Sequence, residues 1–120
     1  MNTFDWLLIG HLVGDWLLQN DWMAKNKKCG LVTLSGLVHF TIYTLTIIAG
    51  LYLAGVRDSA PLFYFGLGAI VFISHWLIDA TQVVNAWMRL FHQSDLEWVH
   101  VLVDQTYHLL VLVMVTCIIR

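Results

Sequence analysis

Four long apolar stretches constrain the fold of this chain more than any other feature. They cover approximately residues 4–24, 31–55, 61–90 and 95–119, and short polar segments separate them. A transmembrane helix needs about 20 mostly apolar residues, so each stretch is long enough to span a bilayer. Hydrophobic residues make up 59% of the 120 residues, whereas soluble domains are about 45–50% apolar. We therefore expect an all-α, polytopic membrane protein with one transmembrane domain over residues 1–120, built as a four-helix bundle.

The basic residues predict how such a bundle is oriented. Because the connections are short, each helix should run antiparallel to the one before it. The first and third connections hold four basic residues and the opposite side holds two: Lys25, Lys27, Lys28 and Arg89 against Arg57 and Arg120. Cytoplasmic loops carry an excess of Lys and Arg. The first and third connections are therefore predicted to be cytoplasmic, with both termini outside.

Each apolar stretch contains one histidine, and three of these histidines have an aspartate four residues away. The pairs are His11/Asp15, His75/Asp79 and Asp104/His108, and His39 stands alone. Residues four apart share a helix face. An ionisable group at bilayer depth costs about 2.5–3.5 kcal/mol on insertion scales and is seldom left facing lipid. The seven side chains are therefore expected to share one interior site.

The depths of these residues support a common layer. Asp15 lies ten residues before Lys25, and Asp79 lies ten before Arg89. Asp104 lies nine after Asp95. At 1.5 Å per residue, all three aspartates fall about 15 Å from the cytoplasmic boundary. The paired histidines lie one turn deeper and His39 falls near the aspartates, so all four stretches place polar groups near the bilayer midplane.

Imidazole and carboxylate groups together are typical ligands of zinc, iron and manganese. Seven candidate ligands could hold one ion with supporting carboxylates, or two ions, and zinc is the metal we favour. One of Asp15, Asp79 and Asp104 could instead act as a catalytic base. A hydrogen-bonded polar core, or a path for protons or ions without a fixed metal, remains the alternative. The candidate ligands are His11, Asp15, His39, His75, Asp79, Asp104 and His108.

Four further polar residues are candidates for supporting roles around this site. Gln19 and Gln105 could hydrogen-bond to the ligands or to a substrate, and packing between helices is an equal alternative. His100 lies one turn from Asp104 and could extend the site toward the cytoplasm, or lie at the interface. Lys25 stands with its neighbouring lysines where it could attract an anionic substrate.

The segments HLVGDW and HWLIDA share the H-x-x-x-D spacing. A helix with one inward histidine follows each of them. Parallel repeats of this kind build sites at their interface, so a repeat of two helical hairpins is predicted.

The segments HLVGDWLLQNDWMAKNK, GLVHF, HWLIDATQ and DQTYH together resemble a family of small bacterial and phage membrane proteins, domain of unknown function 3307. That family shows H-x-x-x-D-[FW]-x-x-Q with Ala and Lys downstream, then a lone His, H-x-x-x-D and D-Q-x-x-H. The match covers nearly the whole chain, with a slightly different spacing after Gln19. The resemblance implies a bacterial inner-membrane protein and supports the site without naming a reaction. The matching residues are His11, Asp15, Trp16, Gln19, Ala24, Lys25, His39, His75, Asp79, Asp104, Gln105 and His108.

The function that these observations favour is a membrane-embedded, metal-dependent hydrolase. It would act at the cytoplasmic leaflet on a lipid-linked or anionic phosphoryl or ester substrate. One alternative is a proton or divalent-metal transporter using the same His/Asp layer, for which a homo-oligomer could supply the path. Another is a membrane subunit of phage or bacterial origin that binds a partner protein. The net charge of −2 gives no indication of nucleic-acid binding.

Overall fold

The computed structural model describes residues 1–26, 29–57 and 60–120 of the chain. These ranges contain helices and no strand, which confirms the all-α prediction. The helices are α1 (Thr3–Leu12), a π-helical turn (Val13–Leu17), α2 (Asp21–Asn26), α3 (Leu34–Leu53), α4 (Pro61–Ala80), α5 (Val83–Leu90) and α6 (Glu97–Ile118).

Three helices in the described ranges are long and apolar enough to cross a membrane, whereas the sequence predicted four. They are α3, α4 and α6. The predicted bounds 31–55 and 95–119 agree with α3 and α6 to within three residues at each end. The number and bounds of the other two predicted spans need correction.

The first apolar stretch is not one helix over residues 4–24. α1 has ten residues and so rises about 15 Å, half of a hydrocarbon core of about 30 Å. The π-helical turn extends it only to Leu17, and the helix has ended at Leu18. The Asn20 side chain then accepts a hydrogen bond from the backbone N–H of Met23 at 3.0 Å, and a new helix, α2, begins. The break falls at the polar run Gln19, Asn20 and Asp21, which the prediction of one helix over residues 4–24 had included within the span.

The third stretch ends as a spanning helix at Ala80 and not at residue 90. Thr81 adopts an extended conformation, and its hydroxyl accepts a hydrogen bond from the backbone N–H of Val83 at 3.4 Å. The following helix, α5, is separate and packs Val84 and Met88 against α6.

The helices that carry the histidines contact one another in a closed order. α3 contacts α1, the π-helical turn and α4, while α6 contacts α4 and α1. The larger apolar core lies among these four helices, and its members include Leu7, Ile47, Val71 and Leu112. The predicted histidines lie at one end of this core. A bundle of four membrane spans, however, is not what the described residues form.

Two glycines hold α1 unusually close to α3. A Cβ atom added to Gly10 would lie 2.7 Å from the carbonyl oxygen of Thr46, and one added to Gly50 would lie 2.8 Å from that of Trp6. The two backbones are therefore in contact, and His11, next to Gly10, is brought against α3.

The membrane orientation predicted from the basic residues remains a prediction. Lys25 lies in α2 and Arg89 in α5. Lys27 and Lys28 lie outside the described residues. The sequence also predicts Asp58 or Ser59 as the N-cap of the third stretch and Pro61 in its first turn. Asp58 and Ser59 lie outside the described residues, and Pro61 is the first residue of α4.

Candidate metal centre

The π-helical turn separates the directions in which His11 and Asp15 point. The backbone N–H of Leu18 donates to the carbonyl of Val13 at 2.9 Å, an i to i+5 hydrogen bond. Such turns are rare in proteins overall, and those that occur are often found at functional sites. Both side chains are buried, but they reach different partners, and only Asp15 joins the central group of ligands.

Four donor atoms meet in the interior of the protein. They are one carboxylate oxygen each from Asp15 and Asp79 and the Nε2 atoms of His39 and His75. The π-helical turn supplies Asp15, α3 supplies His39, and α4 supplies the other two one turn apart. All four residues are at most 3% exposed, so the donors face one another and not lipid or water.

Five of the six separations of these donor atoms are close to those of a tetrahedral site, and the sixth, between the two carboxylate oxygens, is at most 4.8 Å. The two Nε2 atoms are 2.9 Å apart. Asp15 Oδ1 lies 3.2 Å from His39 Nε2 and 3.7 Å from His75 Nε2. Asp79 Oδ2 lies 3.5 Å and 3.6 Å from the same two atoms. Bonds of 2.0–2.1 Å to a tetrahedral zinc ion place its ligand atoms about 3.3–3.4 Å apart, so the residues present fit such an ion.

The second oxygen of Asp79 faces another histidine. His108 Nε2 lies 3.3 Å from Asp79 Oδ1, and His108 Nδ1 lies 2.8 Å from the backbone carbonyl of Asp104. Because a carbonyl only accepts, Nδ1 carries the proton and donates it. In a neutral ring, Nε2 then presents its lone pair to a carboxylate oxygen. Asp79, Asp104 and His108 together form a second group able to hold a cation.

A directed chain of hydrogen bonds supports the carboxylates. Gln105 Nε2 donates to Asp15 Oδ2 at 2.9 Å and to Asp104 Oδ2 at 3.3 Å. Its Oε1 must therefore accept, and it lies 2.8 Å from His11 Nε2. His11 consequently donates from Nε2, and its Nδ1 accepts the hydroxyl proton of Tyr43 at 3.0 Å in the neutral ring. The chain fixes the tautomer of His11 and the orientation of the Gln105 amide.

A family model that matches almost the whole chain shows which family it belongs to. The family model described as "Protein of unknown function (DUF3307)" matches residues 3–120. The chain belongs to this family. Comparisons with curated proteins and with solved structures found no match. Membership in the family therefore confirms the resemblance read from the motifs, and the chemistry must be argued from the site itself.

The structure brings six of the seven predicted ligands together in the two groups. The exception is His11, whose two ring nitrogens contact Tyr43 and Gln105. His11 therefore supports the carboxylates from one residue away. Gln105 hydrogen-bonds Asp15, Asp104 and His11. Lys25 is exposed and pairs with Asp21 at 3.3 Å.

A cleft of about 200 Å³ reaches the carboxylate side of the site. One side of the cleft is formed by the π-helical turn and the segment that follows it, and the other side is formed by α6. The predicted supporting residues Gln19 and His100 line this cleft together with Asp15, Asp104 and Gln105. Asp104 has a side chain that is 14% exposed, compared with 4% for Asp15 and 1% for Asp79. Water and a small polar group can therefore approach Asp104 first.

Tyr43 is the residue that sequence reasoning missed. It is 2% exposed, it hydrogen-bonds His11, and its ring stacks on that of His75 with centroids 3.8 Å apart. The signal was present, because Tyr43 follows His39 by four residues and so shares its helix face. A tyrosine in an apolar helix, however, usually serves packing.

Proposed function

We propose that this protein is an integral membrane, metal-dependent hydrolase whose metal centre is the His/Asp cluster described above. The observation that carries the proposal is the convergence of four buried donor atoms, in which the two Nε2 atoms lie 2.9 Å apart and each carboxylate oxygen lies 3.2–3.7 Å from both of them. A buried carboxylate is unfavourable to the extent that its charge is not offset by hydrogen bonds or an opposite charge. A divalent cation at the centre would offset the charges of Asp15 and Asp79 and satisfy the imidazole lone pairs.

Zinc is the metal that the donor set favours. Two imidazole nitrogens and two carboxylate oxygens at tetrahedral separations suit zinc, while manganese and iron usually take more ligands. A metal held beside the cleft, with a coordination position left open, would polarise the substrate and lower the pKa of a bound water toward 7. The protein contributes the arrangement of the ligands and a mostly dry surrounding.

Access from one side supports hydrolysis in preference to transport. The cleft reaches the site beside Asp104. Beyond the site, the interior is filled by apolar side chains of the four histidine-bearing helices, including Leu7, Ile47, Leu112 and Val115. A transported ion would have to cross this apolar core, whereas a substrate group needs only to enter the cleft and leave again.

The proposed reaction is the hydrolysis of a phosphoryl or carboxylic ester. A water oxygen forms a bond to the phosphorus or carbonyl carbon, and the bond to the ester oxygen breaks. The ester oxygen leaves with the electron pair of that bond. Asp104, the most exposed of the three aspartates, takes the proton of the water and returns it to the leaving oxygen.

We further propose that the cleft opens at the cytoplasmic leaflet of a bacterial inner membrane. The cleft lies beside the end of the π-helical turn and the first half of α6, and Lys25 and Arg89 belong to the connections that the sequence predicts on that side. Basic side chains there would favour anionic substrates, including lipid-linked ones. A homo-oligomer is compatible with this proposal but is not needed for it.

The test is to purify the protein in detergent without chelator, measure its metals, and assay hydrolysis of para-nitrophenyl phosphate, para-nitrophenyl acetate and phosphatidic acid in mixed micelles. We expect about one or two ions per chain and chelator-sensitive hydrolysis of at least one substrate. Both should be lost in Asp79→Asn. Asp5→Asn, which makes the same chemical change at the start of α1, should keep both.

Two results would overturn the proposal. One is a folded protein with less than about a tenth of an ion per chain that takes up none on dialysis against zinc. The other is flux of protons or zinc into proteoliposomes that Asp104→Asn abolishes, with no hydrolysis of any of the three substrates. The second result would favour a transporter. If alanine substitutions in the cluster alter stability alone, a partner-binding role would be favoured.

A further inference from the structure

The carboxylate of Asp79 has its two oxygens in two different clusters of donors. Oδ2 faces His39 and His75, at 3.5 Å and 3.6 Å. Oδ1 faces His108 Nε2 at 3.3 Å. A carboxylate placed in this way can bridge two cations, and the metals of two-metal hydrolytic sites lie about 3.5–4 Å apart.

We propose that the protein holds two unequal cations bridged by Asp79, and that the second, held by Asp79, Asp104 and His108, is the one at which hydrolysis occurs. This inference rests on the proposed function, which requires only one ion. It assigns the chemistry to a different set of residues from the four-donor cluster.

The number of donors distinguishes the two positions. The first position has four protein donors, which fill a tetrahedral shell. Zinc sites of that kind are structural, whereas catalytic zinc sites have three protein ligands and keep one position for water or substrate. The second position has three protein donors. It is therefore the position with room for a water and a substrate oxygen.

Solvent access distinguishes them in the same direction. Each position has one donor that lines the cleft, Asp15 for the first and Asp104 for the second. The side chain of Asp104 is the more exposed of the two, at 14% against 4%. A substrate group entering the cleft therefore has more access to the donor of the second position.

The orientation of His108 is compatible with a cation between its Nε2 and Asp79. Its Nδ1–H donates to the backbone carbonyl of Asp104, the arrangement that commonly orients metal-bound histidines. Its Nε2 then faces an oxygen of Asp79. Two acceptors at 3.3 Å repel each other unless a cation or a proton lies between them.

Both oxygens of Asp104 have a role in this scheme. One would hold the second cation and the other would take the proton of the attacking water. Gln105, which donates to Asp104 Oδ2 at 3.3 Å, would keep the carboxylate in place.

The test compares metal content and metal proximity in the detergent-purified protein. After dialysis against zinc, the wild-type chain should hold two ions, and His108→Ala should hold one and lose hydrolysis by about 100-fold or more. Loaded with manganese, the wild-type chain should give the electron paramagnetic resonance spectrum of an exchange-coupled pair. The His108→Ala variant should give that of a single ion.

The control is His92→Asn, because His92 is an exposed histidine of a connecting turn. Its backbone φ is 51°, which asparagine tolerates. This variant should keep two ions and the coupled spectrum. If His108→Ala does not fold, Asp104→Asn changes fewer atoms at a partly exposed position and should also hold one ion.

One ion in the wild-type chain, still present in His108→Ala, would overturn the two-cation inference and leave the proposed hydrolase standing. No ion in a folded wild-type chain would overturn both. Two ions without coupling would show that Asp79 does not bridge them, which also contradicts the inference.

Discussion

Two segments of this protein share the His-x-x-x-Asp spacing and use it differently. In α4, His75 and Asp79 lie one α-helical turn apart and both enter the four-donor cluster. At the end of α1, Asp15 enters the same cluster, but His11 hydrogen-bonds Gln105 and Tyr43. The π-helical turn from Val13 to Leu17 is the local difference between the two segments.

This difference shows that a motif fixes which residues are available but not what each of them contacts. A regular helix places residues four apart on one face, whereas the wider turn rotates Asp15 relative to His11. The first segment therefore supplies one donor and one supporting residue, and the second supplies two donors. The predicted repeat of two hairpins would then have diverged in its site.

The largest difference in zinc binding is expected between substitutions of the two aspartates, Asp79 and Asp15. Asp79→Asn removes an oxygen from both groups, whereas Asp15→Asn removes one from the first group only. We expect Asp79→Asn to weaken zinc binding by about 10³-fold and to abolish both positions. Asp15→Asn should leave the second position occupied, as measured by zinc titration. Equal losses in the two variants would contradict the shared role of Asp79.

A smaller difference in zinc binding is expected between substitutions of the two histidines, His75 and His11. His75→Ala removes a donor and should empty the four-donor position. His11→Ala removes a support of Gln105 and should lower zinc affinity by about 10–100-fold without changing the number of ions at saturation. Zinc titration with elemental analysis measures both quantities. A reduced number of ions in saturated His11→Ala would make His11 a ligand after all.

Adding a methyl group to α1 where it packs against α3 should destabilise the protein. Gly10→Ala places a Cβ against the Thr46 carbonyl, and we expect it to destabilise the protein by about 1–3 kcal/mol. Gly66→Ala is the matched control, since nothing lies within 4 Å of its added Cβ. That variant should be neutral or more stable by up to about 1 kcal/mol. Denaturation in detergent, followed by circular dichroism, compares them.

Tyr43→Phe should have the smallest effect. It removes the hydroxyl that donates to His11 Nδ1 and keeps the ring that stacks on His75. We expect a loss of about 0.5–1.5 kcal/mol in stability and a change in zinc affinity of only a few-fold. A loss of zinc as large as that in His75→Ala would show that the hydroxyl acts directly at the site.

The fold was predictable where hydropathy alone decides it. α3 and α6 are continuous apolar helices, and their bounds follow from their composition. The first and third stretches differ because single polar contacts end their helices. The Asn20 cap starts α2, and the extended Thr81 separates α4 from α5. Such contacts depend on backbone geometry that an apolar count does not contain.

The site was predictable to the extent that burial cost and depth determine it. Ionisable side chains at one depth in several helices avoid lipid by facing a common protein interior. Six of the seven predicted ligands lie in the two groups of donors found in that interior. The partners of His11 could not be predicted, because the π-helical turn has no sequence signal that separates it from α1. Tyr43 was missed for a related reason, since its hydroxyl matters only once His11 is beside it.

The most direct test of the central claim is zinc-edge X-ray absorption on protein purified without chelator. Zinc held by the His/Asp cluster should have nitrogen and oxygen ligands at about 2.0–2.1 Å, with the outer-shell scattering of imidazole. His39→Ala should reduce that imidazole signal. Sulfur ligands, which only Cys29, Cys117 or a methionine could supply, would contradict a His/Asp metal centre, as would a folded protein that binds no zinc.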